Sequence, residues 1–521
     1  MTYTSPDIDW IGFLPVMIVL GAAVVGVLIE AFVRRPTVRH PIQVTLGIGA
    51  ALASASAAAW LMVDRDGAGS RIAGTLFVLD RFSLVWQVMI AVFAALGIVL
   101  FASRNNGQDA FTPLGSAAPG SAEESLAERR GFAQTEVFPL ALFATGGMML
   151  FSMVNDTIVL FVVLEVLSLP LYILVALARR RRLLSHEAAL KYFLLGAFSS
   201  AVYLFGAALM YGFSQATHYD GISVVIAGGF GEEPLLFLGV IMMIAGLLFK
   251  LGAVPFHAWS PDAYQGAPTP VAGFMAAATK AAAAAALLRL LYVGFYRIEW
   301  ELAPMLWTVA IASMVVGTVV AMAQSDIKRM LAFSSVAHAG FIVVALTSFE
   351  ASAVAALPFY MAAYGLATLG AFAVVGLVRE RTPAGAIDAE ATRLGQWAGL
   401  GKRSPLLAAA MALFLLSFAG IPLTAGFVGK FVAFKAAIEA GAWPLVLVAV
   451  LASGAAAFFY VRLLVLMFLT PVPEDLEDTV AVQRDAGPLT VIGIAALGTV
   501  VLGVVPAWAL DIAADAAVLV P

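Results

Sequence analysis

The stretch LLFLGVIMMIAGLLFKLGAVPFHAW, residues 235–259, decides the fold class. Fifteen uncharged residues precede Lys250, and Gly252 and Pro255 follow it closely. A charge in the middle of a bilayer costs at least ~2.5–3.5 kcal/mol, so such a residue usually faces a polar interior and serves a function. The stretch therefore predicts a membrane-spanning helix that is interrupted near its end and carries a buried lysine.

The rest of the chain has the same character. Of its 521 residues, 62% are hydrophobic and only 12% are charged, about half the charged fraction of a soluble protein. Apolar runs of about 20 residues recur, each long enough to cross a bilayer as a helix. Strands of a membrane barrel alternate instead of running continuously apolar. The composition predicts an all-α polytopic membrane protein surrounded by lipid, and no pattern indicates a nucleic-acid partner.

Cofactor ligands are scarce. The chain contains no cysteine, which excludes disulfides, cysteine-bound iron–sulfur clusters and thiolate metal sites. The five histidines are not spaced as a metal pair. We therefore expect no cofactor and no redox chemistry in this chain itself.

About fourteen spans follow from the apolar runs. They are residues 11–32, 42–63, 78–103, 135–153, 157–178, 188–214, 234–257, 268–296, 303–324, 330–348, 352–378, 404–437, 443–469 and 488–511. Four segments result, namely residues 1–134 with three helices and a loop, 135–300, 301–470, and 471–521 with the last helix.

Loop charges set the predicted orientation. Alternate loops are rich in lysine and arginine, including the run at residues 179–182, and the positive-inside rule assigns those loops to the cytoplasm. Both termini are then predicted to lie outside. Residues 104–134 are rich in Gly, Ser, Ala and Glu and predict a flexible surface loop, whereas the polar, basic residues 380–402 predict a surface that packs on a partner.

Two spans carry helix-breaking residues. Span 7 contains Gly252 and Pro255, and span 12 contains the motif SFAGIPLTAGFVGK at residues 417–430. The two spans lie five apart, which suggests a five-helix unit repeated in tandem. Because five is an odd number, the second unit would cross the membrane in the opposite direction to the first and would be inverted. Paired interrupted helices in inverted halves point to a transport site. We expect spans 4–8 and 9–13 to form the two units.

Four ionisable residues fall near mid-membrane, namely Glu165, Lys250, Lys280 and Lys430. One glutamate and one lysine could form a structural salt bridge, but three lysines leave uncompensated cations. Removal from water disfavours the charged form of a lysine, which makes its proton exchangeable near neutral pH. The set therefore favours a proton relay.

Two other polar residues, Lys191 and His338, each have two possible roles. Lys191 could extend its ammonium to the cytoplasmic interface or tune Glu165. His338 could be a satisfied core residue or part of the relay, since it falls between the two proposed halves. We interpret Arg289 and Arg462 as charges at packing contacts or interfaces. The alanine tract at 281–286 indicates close helix packing.

The motifs FKLGAVPFHAWSPDAYQGAPTPVAGF, residues 249–274, and SFAGIPLTAGFVGKF, residues 417–431, carry a resemblance. They resemble the proton-pumping antiporter-like membrane subunits of respiratory complex I (NADH:quinone oxidoreductase). That superfamily also contains subunits of multisubunit Na⁺/H⁺ antiporters and of membrane-bound hydrogenases. The resemblance covers spans 4–13.

The resemblance implies roles for individual residues. Glu165 corresponds to the coupling glutamate of helix 5, Lys250 to its helix 7 partner, Lys280 to the central helix 8 lysine and Lys430 to the lysine of the exit half-channel. Lys191 and His338 correspond to a lysine beside the glutamate and to a histidine on the connecting path.

The resemblance also implies partners and location. NADH, FMN, iron–sulfur clusters and quinone would belong to partner subunits. Other complex I membrane subunits, including related antiporter-like ones, would be the neighbours in a bacterial inner (cytoplasmic) membrane.

Three alternatives remain open. A Mrp-type cation/proton antiporter subunit or a hydrogenase subunit would use the same relay residues, and the proteins that co-purify with the chain distinguish these. A stand-alone transporter of organic solutes would bind a solute in a cavity with specificity groups. A passive scaffold would lose only assembly when its lysines are neutralised.

Overall fold

The computed structural model describes residues 8–65, 69–104, 109–118, 121–130, 132–229, 233–381, 387–473 and 479–520. Parts of the predicted 104–134 loop and of the 380–402 segment lie outside the described residues. The helices are α1 Leu14–Phe32, α2 Pro36–Asp64, α3 Arg81–Phe101, α4 Ala122–Arg129, α5 Val137–Phe151, α6 Thr157–Val175, α7 Arg182–Ser214, α8 Tyr219–Gly228, α9 Glu233–Leu251, α10 Trp259–Gly266, α11 Thr269–Phe274, α12 Lys280–Arg289, α13 Glu299–Met322, α14 Ile327–Leu346, α15 Ala351–Leu377, α16 Leu400–Arg403, α17 Pro405–Ala419, α18 Ala425–Glu439, α19 Trp443–Phe468, α20 Ala486–Val504 and α21 Ala507–Asp515.

The predicted polytopic helical class is confirmed. Within the described ranges, twelve helical segments are long and apolar enough to cross a bilayer. The apolar helices α5 and α17 have 15 residues each; α5 lies within predicted span 4, and α17 with α18 fills span 12. The count of fourteen and the inverted five-helix repeats stay predictions.

Several span boundaries differ from the predicted ones. Helix α2 begins at Pro36 instead of residue 42, because proline is well accommodated in the first turn of a helix. Helix α7 begins at Arg182 instead of residue 188, so its polar first turns extend beyond the apolar run. Span 14 ends at Val504, and the short helix α21 follows Pro506.

The two predicted interruptions are confirmed. Helix α9 ends at Leu251, where Gly252 has φ +75°, and α17 ends at Ala419, where Gly420 has φ +82°. Glycine adopts this left-handed conformation without the strain that a Cβ causes, which is why it commonly terminates helices. Each break frees backbone carbonyls at the end of a helix inside the bundle.

The helical segments that carry Lys280 and His338 form the centre of the bundle. The segment Thr269–Gly294 joins α11 and α12 through the π-helical turn Met275–Thr279 and ends in a second such turn, and its apolar window is completely buried. In α14, 94% of an apolar 18-residue stretch is buried, whereas in α1, α2 and α20 the buried share of such a stretch is 33%. Residues 281–286 are all buried, which confirms close packing of the alanine tract.

Short strands were not predicted. Strands β1 Ser70–Ile72 and β2 Phe77–Leu79 form a hairpin, and β3 Val378–Arg381 lies between β4 Ile387–Glu390 and β5 Val480–Val482 in a second sheet. Strands of three or four residues are too short to show a period-2 pattern. The second sheet occupies part of the segment that was predicted to pack on a partner.

The described part of residues 104–134 contains a short helix and ion pairs that the prediction of a flexible surface loop did not include. Asp109 forms a largely buried ion pair of 3.1 Å with Arg179, and Glu124 in α4 lies 2.9 Å from Arg182. The acidic side chains of this segment thus bind arginines of the α6–α7 connection. Composition indicated polarity but could not indicate which distant arginines would be in reach.

Candidate functional site

Lys280 lies where α9 breaks. Its side chain is 1% exposed, and Nζ donates to the carbonyl oxygens of Leu251 at 2.8 Å and Ser335 at 2.7 Å. Leu251 is the last residue of α9, so its carbonyl lacks a partner within the helix. The C-terminal end of a helix carries partial negative charge and favours a cation. The break of α9 therefore builds the binding place for the Lys280 ammonium.

Lys430 has an equivalent arrangement at the other break. It is 5% exposed, and Nζ donates to the carbonyls of Phe418 at 2.7 Å and Ala419 at 3.2 Å, at the end of α17, and to Ser453 Oγ at 2.7 Å. The same Nζ lies 4.7 Å from the ring centroid of Phe341. At both breaks, a buried lysine thus caps the end of an interrupted helix.

His338 lies between these two lysines. It is 3% exposed, and in α14 it lies three residues after Ser335, whose carbonyl accepts from Lys280, and three residues before Phe341, whose ring lies 4.7 Å from Lys430 Nζ. Nδ1 is hydrogen-bonded to Tyr360 Oη at 2.6 Å, whereas Nε2 is buried without a partner among the described residues. An imidazole with one nitrogen held and the other free can take part in proton transfer.

Lys250 occupies an aromatic pocket. Its side chain is 2% exposed, and Nζ lies 3.4 Å from Tyr192 Oη and 5.3 Å from the centroid of the Tyr172 ring. Trp259 stacks on the other side of Tyr192 with a centroid distance of 4.6 Å. The ring faces attract the ammonium without neutralising it. Lys250 directly precedes Leu251, whose carbonyl accepts from Lys280, so both lysines lie at the C-terminal end of α9.

Glu165 lies at the surface of α6 and is only partly buried. Glu165 and Tyr172 are seven residues apart in α6, which is about two turns, so they lie on the same face of the helix and the carboxylate lies on the side of the aromatic pocket. No ion pair within 4.0 Å involves Glu165 among the described residues. The arrangement contains the predicted pair of Glu165 and Lys250 without a closed salt bridge.

Lys191 lies apart from this set. Its ammonium is exposed and forms ion pairs with Glu187 at 2.6 Å and with Asp262 at 3.0 Å. Asp262 also binds Arg329 at 2.6 Å. Burial raises the pKa of the Asp262 carboxyl, but hydrogen bonds from Arg329 and Lys191 outweigh it and hold the pKa below its usual value. Lys191 thus belongs to a surface network that joins α7, α10 and α14.

Two buried charge clusters were not found from the sequence. Arg289, predicted as a packing charge, binds both oxygens of Asp80 at 2.7 and 2.8 Å, and both side chains are 1% exposed. Glu390 lies 3.5 Å from Arg379 and accepts a hydrogen bond from Thr269. Burial raises the pKa of Glu390, but Arg379 and Lys328 outweigh it and lower the pKa to about 2. The charges themselves were visible in the sequence, but their distant partners were not.

Metal binding has no support in the described ranges, where no cluster of three histidine or acidic side chains could hold an ion. The arrangement offers Lys250, Lys280, His338 and Lys430 in the buried interior, with Glu165 at one side. It is a series of groups that can exchange protons.

Comparisons with known proteins identify the family. The family model "NADH:quinone oxidoreductase/Mrp antiporter, TM" matches residues 154–455. NADH-quinone oxidoreductase subunit N of Beutenbergia cavernae is 53% identical over 99% of both chains, and that of Rhodococcus opacus is 48% identical over 99% of this chain and 97% of the relative.

Solved structures give the same result. A chain of respiratory complex I from Thermus thermophilus with bound Aureothin matches with a TM-score of 0.75 and 32% identity, covering 96% of this chain and 99% of that chain. A chain of the Mrp complex from Dietzia sp. has a TM-score of 0.77 but 22% identity, covering 97% of each chain, and so shares the fold. The chain belongs to the NADH:quinone oxidoreductase/Mrp antiporter membrane family and, within it, to the subunit N group.

Proposed function

We propose that this chain is the subunit N of a bacterial NADH:quinone oxidoreductase and translocates protons across the membrane. The whole-length identity to subunit N relatives supports the assignment. NADH oxidation, FMN, iron–sulfur clusters and quinone reduction belong to partner subunits, and related antiporter-like subunits are its neighbours in the inner membrane. A Mrp-type antiporter or hydrogenase subunit is less supported, because the Mrp match rests on fold.

The observation that carries the proposed mechanism is the pair of buried lysines at broken helix ends. At Lys430, three acceptors, two carbonyls and the Ser453 hydroxyl, match the three N–H donors of an ammonium. Ser453 Oγ is also within 3.2 Å of the Ala419 carbonyl. When Lys430 releases its proton, the hydroxyl can donate to the Nζ lone pair, so Lys430 remains fully hydrogen-bonded in either protonation state.

At Lys280, the two carbonyls bind two of the three N–H groups, which leaves one for proton exchange. The buried hydroxyls of Ser260 and Ser335 face the phenol of Tyr264, and the Ser335 hydroxyl also faces the phenol of Tyr364. Ser335 also supplies one of the Lys280 acceptors. These hydroxyls are suited to bond water near Lys280 and extend the path towards His338.

Glu165 and Lys250 form the coupling end of the path in this proposal. A carboxylate that approaches Lys250 favours its protonated form, and one that withdraws favours release of the proton towards Lys280. The aromatic pocket keeps Lys250 in place in both states. Lys191 acts in the surface network and influences Glu165 only from a distance.

Substitution of Lys250 tests the proposal. Lys250→Ala should lower NADH:quinone turnover coupled to pumping while the complex still assembles. The matched control is Lys435→Ala, which removes a lysine whose side chain is 62% exposed and pairs with Glu439. Normal pumping by an assembled Lys250→Ala complex would remove Lys250 from the path. Equal losses in both variants would point to a general defect.

A further inference from the structure

An arginine faces outward from a membrane helix. Arg462 lies in α19, is exposed, and donates through Nη1 to the carbonyl of Met322 at 3.1 Å, at the end of α13. No acidic side chain of the described residues comes within 4.0 Å of its guanidinium. A guanidinium has five N–H donors, so most of them are available to another ligand.

An apolar groove lies next to Arg462. It has a volume of about 740 Å³, and its lining includes Leu394, Gly454, Phe458, Val461 and Val465. A Cβ added at Gly454 would meet no heavy atom within 4 Å. The space beside Gly454 is therefore free of other atoms.

The depth of Arg462 suits a lipid headgroup. Helix α19 has 26 residues, about 39 Å, so it exceeds a hydrocarbon core of about 30 Å by a few ångströms at each end. Arg462 precedes the end of α19 at Phe468 by six residues, about 9 Å. A long arginine side chain can extend from this depth to the phosphate level while its stem stays in the apolar region.

Other cations surround the same end of α19. Arg393 is exposed and directly precedes Leu394 of the groove. Gly401 packs against the Phe468 ring, which places the exposed Lys402 at this end. We propose that this groove binds one anionic phospholipid, with the phosphate on Arg462 and an acyl chain along Phe458, Val461 and Gly454. Charge complementarity favours a lipid of net negative charge.

Photo-cross-linking tests this site in the intact complex. The complex is reconstituted in bilayers that contain phosphatidylglycerol or phosphatidylcholine with the same diazirine-bearing acyl chain, and labelled peptides of this chain are mapped. Phosphatidylglycerol should label α19 about fivefold more than phosphatidylcholine, since a basic residue near the surface is worth about 1 kcal/mol to an anionic headgroup. Arg462→Gln should abolish this preference.

Two glycine variants separate the groove from the rest of the surface. Gly454→Leu places an apolar side chain in the groove, where its Cβ meets no atom within 4 Å, and should remove α19 labelling. Gly493→Leu changes an exposed glycine of α20 that also has nothing within 4 Å, and should leave the labelling unchanged. Equal labelling by both lipids, labelling insensitive to Arg462→Gln and Gly454→Leu, or protection of α19 by a partner subunit would each overturn the proposal.

Discussion

Replacing Gly420 with alanine should disturb proton transfer through Lys430. Gly420 has φ +82°, and an added Cβ would lie 3.0 Å from Lys430 Cδ and 3.5 Å from its Nζ. The left-handed backbone strains any L-residue by roughly 1–2 kcal/mol. The contact also forces the lysine chain to shift by a few tenths of an ångström, away from its three acceptors.

The chain contains a matched control for the backbone strain. Gly441 also has φ +82°, but an added Cβ would meet nothing within 4 Å. Both alanine variants should therefore lower the thermal stability of the complex by similar amounts. Only Gly420→Ala should affect Lys430.

The magnitude follows from the hydrogen bonds of Lys430. A hydrogen bond to a charged group contributes about 1.5–3 kcal/mol, so weakening one by half changes the proton equilibrium of Lys430 about fivefold. Coupled NADH:quinone turnover in membrane vesicles should fall by about this factor in Gly420→Ala and stay at the wild-type rate in Gly441→Ala. Equal rates in the two variants, with both complexes assembled, would refute the dependence of turnover on the position of Lys430.

Three further predictions concern other groups. Glu165→Gln should impair coupling more than Glu165→Asp, because aspartate still titrates; wild-type proton pumping in both variants would argue for a structural role. The pKa of Glu390 is lowered from 4.5 to about 2, so its contribution to stability is present above pH 4.5 and is lost as the pH falls towards 2. Thermal dissociation of the complex should show this loss in the wild type, and Glu390→Gln should flatten it. In Arg181→Cys, membrane-impermeant reagents should label the thiol only from the cytoplasmic side, and in Thr217→Cys only from outside; the reverse would invert the predicted orientation.

The features predicted from the sequence are those that the membrane imposes locally. Long apolar runs, breaks at Gly252 and Gly420, and lysines inside such runs are all visible in a single stretch of chain, because a bilayer penalises each charge and each free backbone group. The interruption of span 7 and the burial of Lys250 could therefore be predicted directly from the sequence.

Contacts between distant segments could not be predicted in this way. Arg289 and Asp80 are 209 residues apart, and no local pattern relates them. The exposed position of Lys191 depends on Asp262 across a helix pair, and the carbonyls that hold Lys280 come from two other helices. Such partners depend on how the helices pack, which hydrophobic periodicity alone does not specify.

The central claim is that buried lysines carry the transported proton, and Lys280→Arg tests it most directly. Arginine keeps the positive charge and can donate to the carbonyls of Leu251 and Ser335, but it does not release its proton. The measurement is the number of protons pumped per NADH oxidised in vesicles containing assembled Lys280→Arg complex, with Lys435→Arg as the control. The account predicts a lower ratio or a lower coupled rate for Lys280→Arg alone, and wild-type values of both for Lys280→Arg would contradict it.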